Sequence, residues 1–190
     1  MLKQFYHVND EGYVLETYVL DDAEVPPNYF EGWDNTIEKP KWDFEKGTWV
    51  EDRPFEDKLA EAKLKKFKEL DSVCTQEILG YFTATVRDQE YLFSFDSEAQ
   101  FNFNGTLSLF NAKLIDSIQW TAWQDEKAKR ITLNYEEFLL VIFPGFQHKD
   151  DKIFRLRNML EPYLASFTTV EEVEALTWDT EVPEEYIIRD

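Results

Sequence analysis

The sequence predicts an α+β protein: a small N-terminal β-hairpin module, one long amphipathic helix, and a C-terminal domain in which β-hairpins are interleaved with helices. Three observations predict this class. Short alternating apolar runs are separated by turn residues near both ends; a helical apolar period spans residues 54–79; and no stretch has the spacing of a βαβ unit. We expect a docking or oligomerisation module at 1–53, a connecting helix at 54–80, and an α+β domain with an acidic tail at 81–190.

The first segment reads as two short β units. The runs KQFYHV and YVLETYVL surround the turn residues Asn9–Gly12, which predicts a hairpin. Trp42 and Trp49 flank a turn that ends at Gly47, so we expect both indoles on one face of a two-stranded ribbon. About fifty residues without a disulfide make a marginal domain, and we therefore expect this module to lean on another surface.

The second segment reads as one long helix. Pro54 suits a first helical turn, and Gly80 stands where the helix would end. Apolar residues recur at steps of three and four and form one stripe, which includes the single cysteine, Cys74. The dense lysines between Lys58 and Lys68 predict a solvated face, with contact to an acidic partner as the alternative.

The third segment alternates between hairpins and helices. YFTATVR and YLFSF predict a hairpin around residues 88–90, and a helix follows over 97–113. SIQWTAW and KRITL predict another hairpin around residues 124–127. Trp120 and Trp123 are three positions apart in its first strand, so we expect them on opposite faces, with one exposed or covered by a partner.

Capping and breaking residues predict the remaining helices. Asn134 and Glu137 have the spacing of a capping box, and Thr168-Thr169 opens a last short helix. Pro144-Gly145 predicts a kink or restart in the helix between them, which continues over 146–165. Residues 171–190 carry eight acids against Arg189 alone, and a free tail of that charge is usually disordered.

Composition excludes several classes of partner. The 39 acidic residues outnumber the 20 basic ones, which gives a net charge of −19. A field of that sign repels phosphate groups, so we expect neither nucleic acid nor an anionic membrane as a partner. The N-terminus lacks the pattern of a signal peptide, and FLLVIF at 138–143 is too short to span a bilayer.

Catalytic and metal-binding patterns are missing from the sequence. It contains no phosphate-binding loop, HExxH, GxSxG or CxxC motif, and His7 and His148 lie in different segments. Carboxylate pairs abound in so acidic a chain, and none can be singled out as a glycosidase pair. We predict no catalytic residue, no metal ligand and no cofactor, and hence a protein that is not an enzyme.

The tryptophans are the remaining candidates for a site. Indole rings anchor protein interfaces, stack on sugars or pack in cores, and core packing is the commonest of these roles. Spacing alone leaves these alternatives open. The interface candidates are Trp33, Trp42, Trp49, Trp120 and Trp123.

Two stretches resemble bacteriophage proteins. KPKWDFEKGTWVED is similar to a short tryptophan-containing segment of tail-fibre and tail-fibre-assembly proteins; Pro40, Trp42, Trp49 and Glu51 are among the matching positions. The stretch from residue 57 to residue 105 resembles an uncharacterised domain of phage tail proteins. The features that match there are Lys63–Leu70, Cys74, Ile78, Gly80, Phe82 and Asp96–Asn102.

The second resemblance continues through Ile118–Trp123, LNYEEFLLVI and His148-Lys149, so that together the two stretches cover about residues 38–178. The chain departs from the family pattern at Ala99 and at Pro144-Gly145. The family has no known catalytic residues, and none are carried over to this chain.

The resemblance implies a non-enzymatic component of a phage tail or baseplate that is associated with the receptor-binding or tail-fibre apparatus. It would reside in the virion tail after assembly in the host cytoplasm, with other tail, baseplate or fibre proteins as partners, as a homo-oligomer or part of a symmetric assembly. The alternative is a cytoplasmic assembly chaperone for the fibre that is absent from the virion. A wall-degrading tail enzyme is the third and weakest hypothesis.

Overall fold

The computed structural model describes residues 1–189 and confirms the α+β class. Helices make up 42% of the chain and antiparallel sheets 29%. The chain divides into two compact units, Met1–Ala60 and Glu61–Asp190. This division falls inside the long helix α1 (Phe55–Ile78), whose observed bounds agree with the predicted 54–79.

Unit 1 contains two small antiparallel sheets. Strands β1 (Leu2–Val8) and β2 (Val14–Asp21) form the predicted hairpin, and β3 (Tyr29–Phe30) adds to the free side of β1. Strands β4 (Pro40–Asp43) and β5 (Thr48–Glu51) form the predicted ribbon. The sequence does not predict β3, because two residues are too few to show an alternating pattern.

Gly12 joins the two sheets of unit 1. Its carbonyl accepts a hydrogen bond of 2.8 Å from the backbone N–H of Trp42, and its φ is +91°. A Cβ atom at this position would lie 2.1 Å from the carbonyl oxygen of Trp42, which is backbone and cannot move aside cheaply. Glycine is therefore needed here for both its conformation and its size.

Unit 2 is built on a four-stranded antiparallel meander. Its strands follow chain order: β6 (Tyr81–Val86), β7 (Gln89–Ser94), β8 (Ser117–Gln124) and β9 (Lys127–Asn134). Helices α2 (Ser97–Asn111) and α3 (Tyr135–Phe154) bury their apolar residues against one face of this sheet. Fully buried rings of the resulting core include Phe93, Phe95, Phe103 and Phe138.

The first hairpin of this sheet turns earlier than the sequence predicts. Val86 pairs with Gln89, so the loop is Arg87-Asp88 rather than residues 88–90. Both loop residues have positive φ, as in the type I′ turns that suit two-residue hairpins. Asn and Gly favour such turns. Because the Arg87-Asp88 loop contains neither, the sequence does not show where the hairpin turns. The Arg87 guanidinium compensates by binding the Glu137 carboxylate through two hydrogen bonds, of 2.6 and 2.8 Å.

Helix α3 begins as predicted but does not restart at Pro144. Asn134 and Glu137 form the predicted capping box. The helix then runs without a break through Pro144 and Gly145 to Phe154. Proline removes the N–H that would bond to the carbonyl of Leu140, so the helix continues here with one backbone hydrogen bond fewer. Of the predicted kink or restart, the restart is therefore wrong.

The C-terminal part of unit 2 is helical and held in place. A π-helical turn (Arg155–Leu160) leads into α4 (Glu161–Ser166), and α5 (Val170–Ala175) begins at the predicted cap with Thr169 as N-cap; a 3₁₀ turn follows at Glu184–Tyr186. The Arg155 guanidinium donates to the carbonyls of Trp178 and Thr180. Further along, the backbone N–H of Ile188 donates to the carbonyl of Asn158, so the acidic end is tied to the π-helical turn at more than one point.

Two lysines of α1 are structural rather than simply solvated. Lys63 donates to the carbonyl of Ala165 at 2.8 Å, and Lys66 donates to the carbonyl of Glu174 at 3.2 Å. These carbonyls lie in the last turns of α4 and α5, where a cation is favoured by the helix dipole. The predicted solvated lysine face is therefore wrong for these two residues.

We expect Gly12→Ala to destabilise unit 1 by about 3 kcal/mol or more, because positive φ and backbone overlap act together. Gly47→Ala is the matched control: Gly47 also has positive φ but meets nothing within 4 Å, and we expect a cost of only about 1 kcal/mol. Urea unfolding followed through the indole N–H resonances of Trp42 and Trp49 measures both. Equal costs would contradict the role of the Trp42 contact.

The ion pair between Glu137 and Arg87 should make the stability of unit 2 depend on pH. The side-chain hydrogen bonds from Arg87 and the backbone N–H of Asn134 hold the pKa of Glu137 below its ordinary value. Its charge therefore stabilises the fold above about pH 4.5, and this stabilisation is lost as the pH falls through the lowered pKa. We expect Glu137→Gln to cost about 1 kcal/mol at pH 7.

The cost of Glu137→Gln should shrink steadily as the pH falls below about 4.5 and through the lowered pKa of Glu137, as seen by thermal unfolding at several pH values. Glu136→Gln, at the neighbouring position of the same helical turn, is the control and should be nearly neutral throughout. A cost for Glu137→Gln that did not change with pH would show that the ion pair is not its cause.

Candidate interaction surfaces

Aromatic rings form the core of unit 1. Trp49 lies at the centre, with ring centroids 5.0 Å from Trp33 and 5.4 Å from Trp42. Phe30 stacks on Trp42, and Tyr6 packs on Trp33 with centroids 4.5 Å apart. Trp42 and Trp49 are directly paired across β4 and β5, so the predicted common face is confirmed. The small unit thus builds its core from large rings.

The three candidate tryptophans of unit 1 differ in how much surface they leave free. Trp49 is 9% exposed, and its indole N–H donates to the carbonyl of Glu31 at 2.6 Å. Its ring and its polar atom are therefore both used within the unit. Trp33 and Trp42 are half-buried and keep part of their rings at the surface. An interface role for those two stays a prediction.

Several acids of unit 1 bind its own backbone. The Glu51 carboxylate accepts hydrogen bonds from the backbone N–H groups of Glu38, Lys39 and Arg53, and these hold its pKa below the ordinary value. The Asp52 carboxylate accepts from the Tyr13 hydroxyl at 2.8 Å, which likewise lowers its pKa. Part of the acidity that the sequence displays therefore supports loops rather than facing a partner.

Trp120 and Trp123 lie on opposite faces of β8, as predicted. Trp120 faces the helices and stacks on Phe103 with a centroid distance of 4.3 Å. Trp123 faces away from them and meets Tyr81 edge to face at 5.3 Å. Both are half-buried. Trp120 is thus part of the core of unit 2, whereas Trp123 belongs to the uncovered face of the sheet.

The sequence reading missed an exposed apolar stripe on α3. Leu139, Phe143, Phe146 and Ile153 lie along one side of the helix, next to the side that packs on the sheet. Phe143 is 71% exposed. A shallow cavity of about 580 Å³ follows the C-terminal half of this stripe. The run FLLVIF contains the signal, since apolar residues at every position must occupy more than one helix face.

His148 and Cys74 each contact a backbone carbonyl of unit 2. His148 Nε2 lies 2.9 Å from the carbonyl of Glu77, and the ring packs beside Phe82. The Cys74 thiol is buried, which raises its pKa, and it donates to the carbonyl of Lys152. Within residues 1–189, no three His, Cys, Asp or Glu side chains are grouped so that they could hold a metal ion.

No helix in the described part of the chain is both long enough and apolar enough to cross a bilayer. The comparisons with known proteins found no relative: no family model matches the chain, and neither does any curated protein or any solved structure.

The two tryptophans of β8 should respond differently to truncation. We expect Trp120→Ala to destabilise unit 2 by about 3 kcal/mol, because it leaves a cavity beside Phe103. Trp123→Ala removes an edge contact on an open face and should cost about 1 kcal/mol. Urea unfolding monitored by far-UV circular dichroism measures both, and a larger cost for Trp123 would contradict the assignment of faces.

Proposed function

We propose that the chain is a non-enzymatic structural protein of a bacteriophage tail or baseplate, associated with the receptor-binding or tail-fibre apparatus, and that it works through protein–protein interfaces. The observation that carries the interface part of this proposal is the stripe on α3. The resemblance of residues 38–178 to tail and tail-fibre proteins supports the particular assembly.

The stripe supports an interface because of its size and its position. Large apolar side chains scattered singly on a surface are ordinary, but a contiguous row of them marks a contact site. Phe143 projects furthest into solvent, and Phe146 lies one turn from it along the cavity of about 580 Å³. Ile153 lines the far end of that cavity, beyond Lys149 and Asp150. A phenylalanine that a partner covers in such a row is a type of residue that contributes strongly to binding energy.

Quantitative mass spectrometry of purified particles from the strain that produces the chain tests the proposal. We expect a few to tens of copies per particle. Absence from particles combined with a complex with a fibre protein in the lysate would replace the proposal by the assembly-chaperone alternative. Absence from both would overturn the assignment to a phage tail.

Variants of exposed residues test whether the stripe makes the contact. Phe143→Ser should lower the copy number per particle at least tenfold, because it removes the most exposed ring of the row. Leu114→Ser is the matched control, since Leu114 is also 71% exposed but lies in the loop between α2 and β8. Equal incorporation of the two variants would show that another surface makes the contact.

A further inference from the structure

In the sheet of unit 2, the two central strands, β7 and β8, are paired over only a small part of their length. We call the line between these two strands the seam. Strand β8 pairs with β9 at all eight of its residues, but β7 pairs with β8 only at Leu92↔Trp123. The next pairs in register would be Phe93 with Ala122 and then Ser94 with Thr121, the next pair able to exchange hydrogen bonds, and the two strands pair at neither. The seam is therefore open on the side of Ser94, from Thr121 back to Ser117.

The hairpin geometry shows where the backbone groups along this opening point. Gln124 and Lys127 flank the two-residue loop between β8 and β9, so they form a hydrogen-bonded pair. Backbone N–H and C=O groups alternate in direction along a strand. Those of Thr121, Gln119 and Ser117 therefore point away from β9 and into the opening.

Strand β7, on the other side of the opening, also directs backbone groups into it. Val86 and Gln89 flank the other two-residue loop, so by the same alternation the backbone groups of Glu90, Leu92 and Ser94 point towards β8. The Glu90 carbonyl does accept a hydrogen bond from the Gln124 side chain, on that side of β7. Ser94 thus presents its backbone groups to the opening from the β7 side.

The opening is a cavity lined by residues of β8 and of helix α2. Its volume is about 390 Å³, and α2 closes one side. Thr106 of α2 lines it, is 8% exposed, and its hydroxyl makes no hydrogen bond to any group in residues 1–189. The Thr106 hydroxyl reaches solvent through the opening and has no protein partner in the described part of the chain, so it is free to bond to a polar group of a bound molecule.

We propose that this opening binds an extended polypeptide segment of a partner protein, which adds to the free side of β8. Extended peptides bind to sheets in this way when unpaired backbone groups are aligned along a strand. The side chains of the bound segment would alternate between two environments. One is the pocket between Thr106 and Trp120, and the other is the outer face beside Trp123.

Charge indicates the chemistry of the segment. Asp96 and Glu98 line the end of the opening where α2 begins, and Asp96 Oδ1 also accepts the N-cap hydrogen bond from the backbone N–H of Ala99. Arg130 lies at the outer face, where it donates to the Thr121 hydroxyl at 2.9 Å. The chain as a whole has a net charge of −19. The segment should therefore carry at least one Lys or Arg, and its binding should weaken as salt concentration rises.

A displayed library of random linear dodecapeptides, selected on the full chain, tests the inference. We expect an enriched sequence family that contains Lys or Arg. The best synthetic peptide is then measured by fluorescence anisotropy. Failure to enrich any family over an unselected library would overturn the proposal.

Backbone and side-chain variants show how the peptide binds. Gln119→Pro removes an N–H that points into the opening and leaves the β8–β9 hydrogen bonds intact; we expect affinity to fall about tenfold or more. Gln119→Ala keeps the N–H and should change affinity by less than about twofold. Thr106→Val keeps the volume, removes the hydroxyl, and should weaken binding about fivefold.

Hydrogen exchange of the unmodified chain tests whether a peptide binds along β8, and it does not depend on whether the proline variant folds. The Gln119 and Thr121 amides should exchange slowly only when peptide is bound, and unchanged exchange would overturn the proposal.

Selective binding of glycans on an array, without any protected amide, would assign the cavity to sugars instead. Phe143→Ser should leave peptide binding unaffected, so this inference and the proposed function fail separately.

Discussion

The close approach of helix α3 to the sheet is the constraint on which unit 2 depends. A Cβ atom at Gly145 would lie 2.9 Å from the rings of Phe82 and Phe95, so only glycine allows the helix to reach these rings. This contact directs one side of α3, with Phe138, Val141 and Ile142, into the core. It also leaves the neighbouring side uncovered, and the stripe of exposed apolar residues is the direct consequence.

The two units form their hydrophobic cores from different kinds of contacts. Unit 2 buries several phenylalanines between two helices and a sheet, which is ordinary for its size. Unit 1 has only short strands and depends on rings packed around Trp49. Its loops are held by carboxylates that accept backbone N–H groups, most clearly at Glu51. Its high acidity is thus partly a means of satisfying irregular backbone.

The stripe and the open seam offer two kinds of binding in one unit. The stripe presents apolar side chains, so its affinity would come from removing them from water and would depend little on salt. The seam presents aligned backbone groups and two carboxylates, so its affinity would come from hydrogen bonds and charge. The two proposed kinds of binding therefore do not compete for the same chemistry.

The sequence by itself determined the elements whose signals are local. The bounds of α1, the capping boxes at Asn134 and Thr169, and the pairing of Trp42 with Trp49 all follow from spacing and from residue type. The same local signals misplaced the turn at Arg87-Asp88 and predicted a restart at Pro144, because both outcomes depend on contacts distant in the chain. Only the tertiary structure decided which indole is buried, which side of α3 is bare, and where β7 separates from β8. Those features depend on which surfaces meet, and periodicity along the chain carries no information about that.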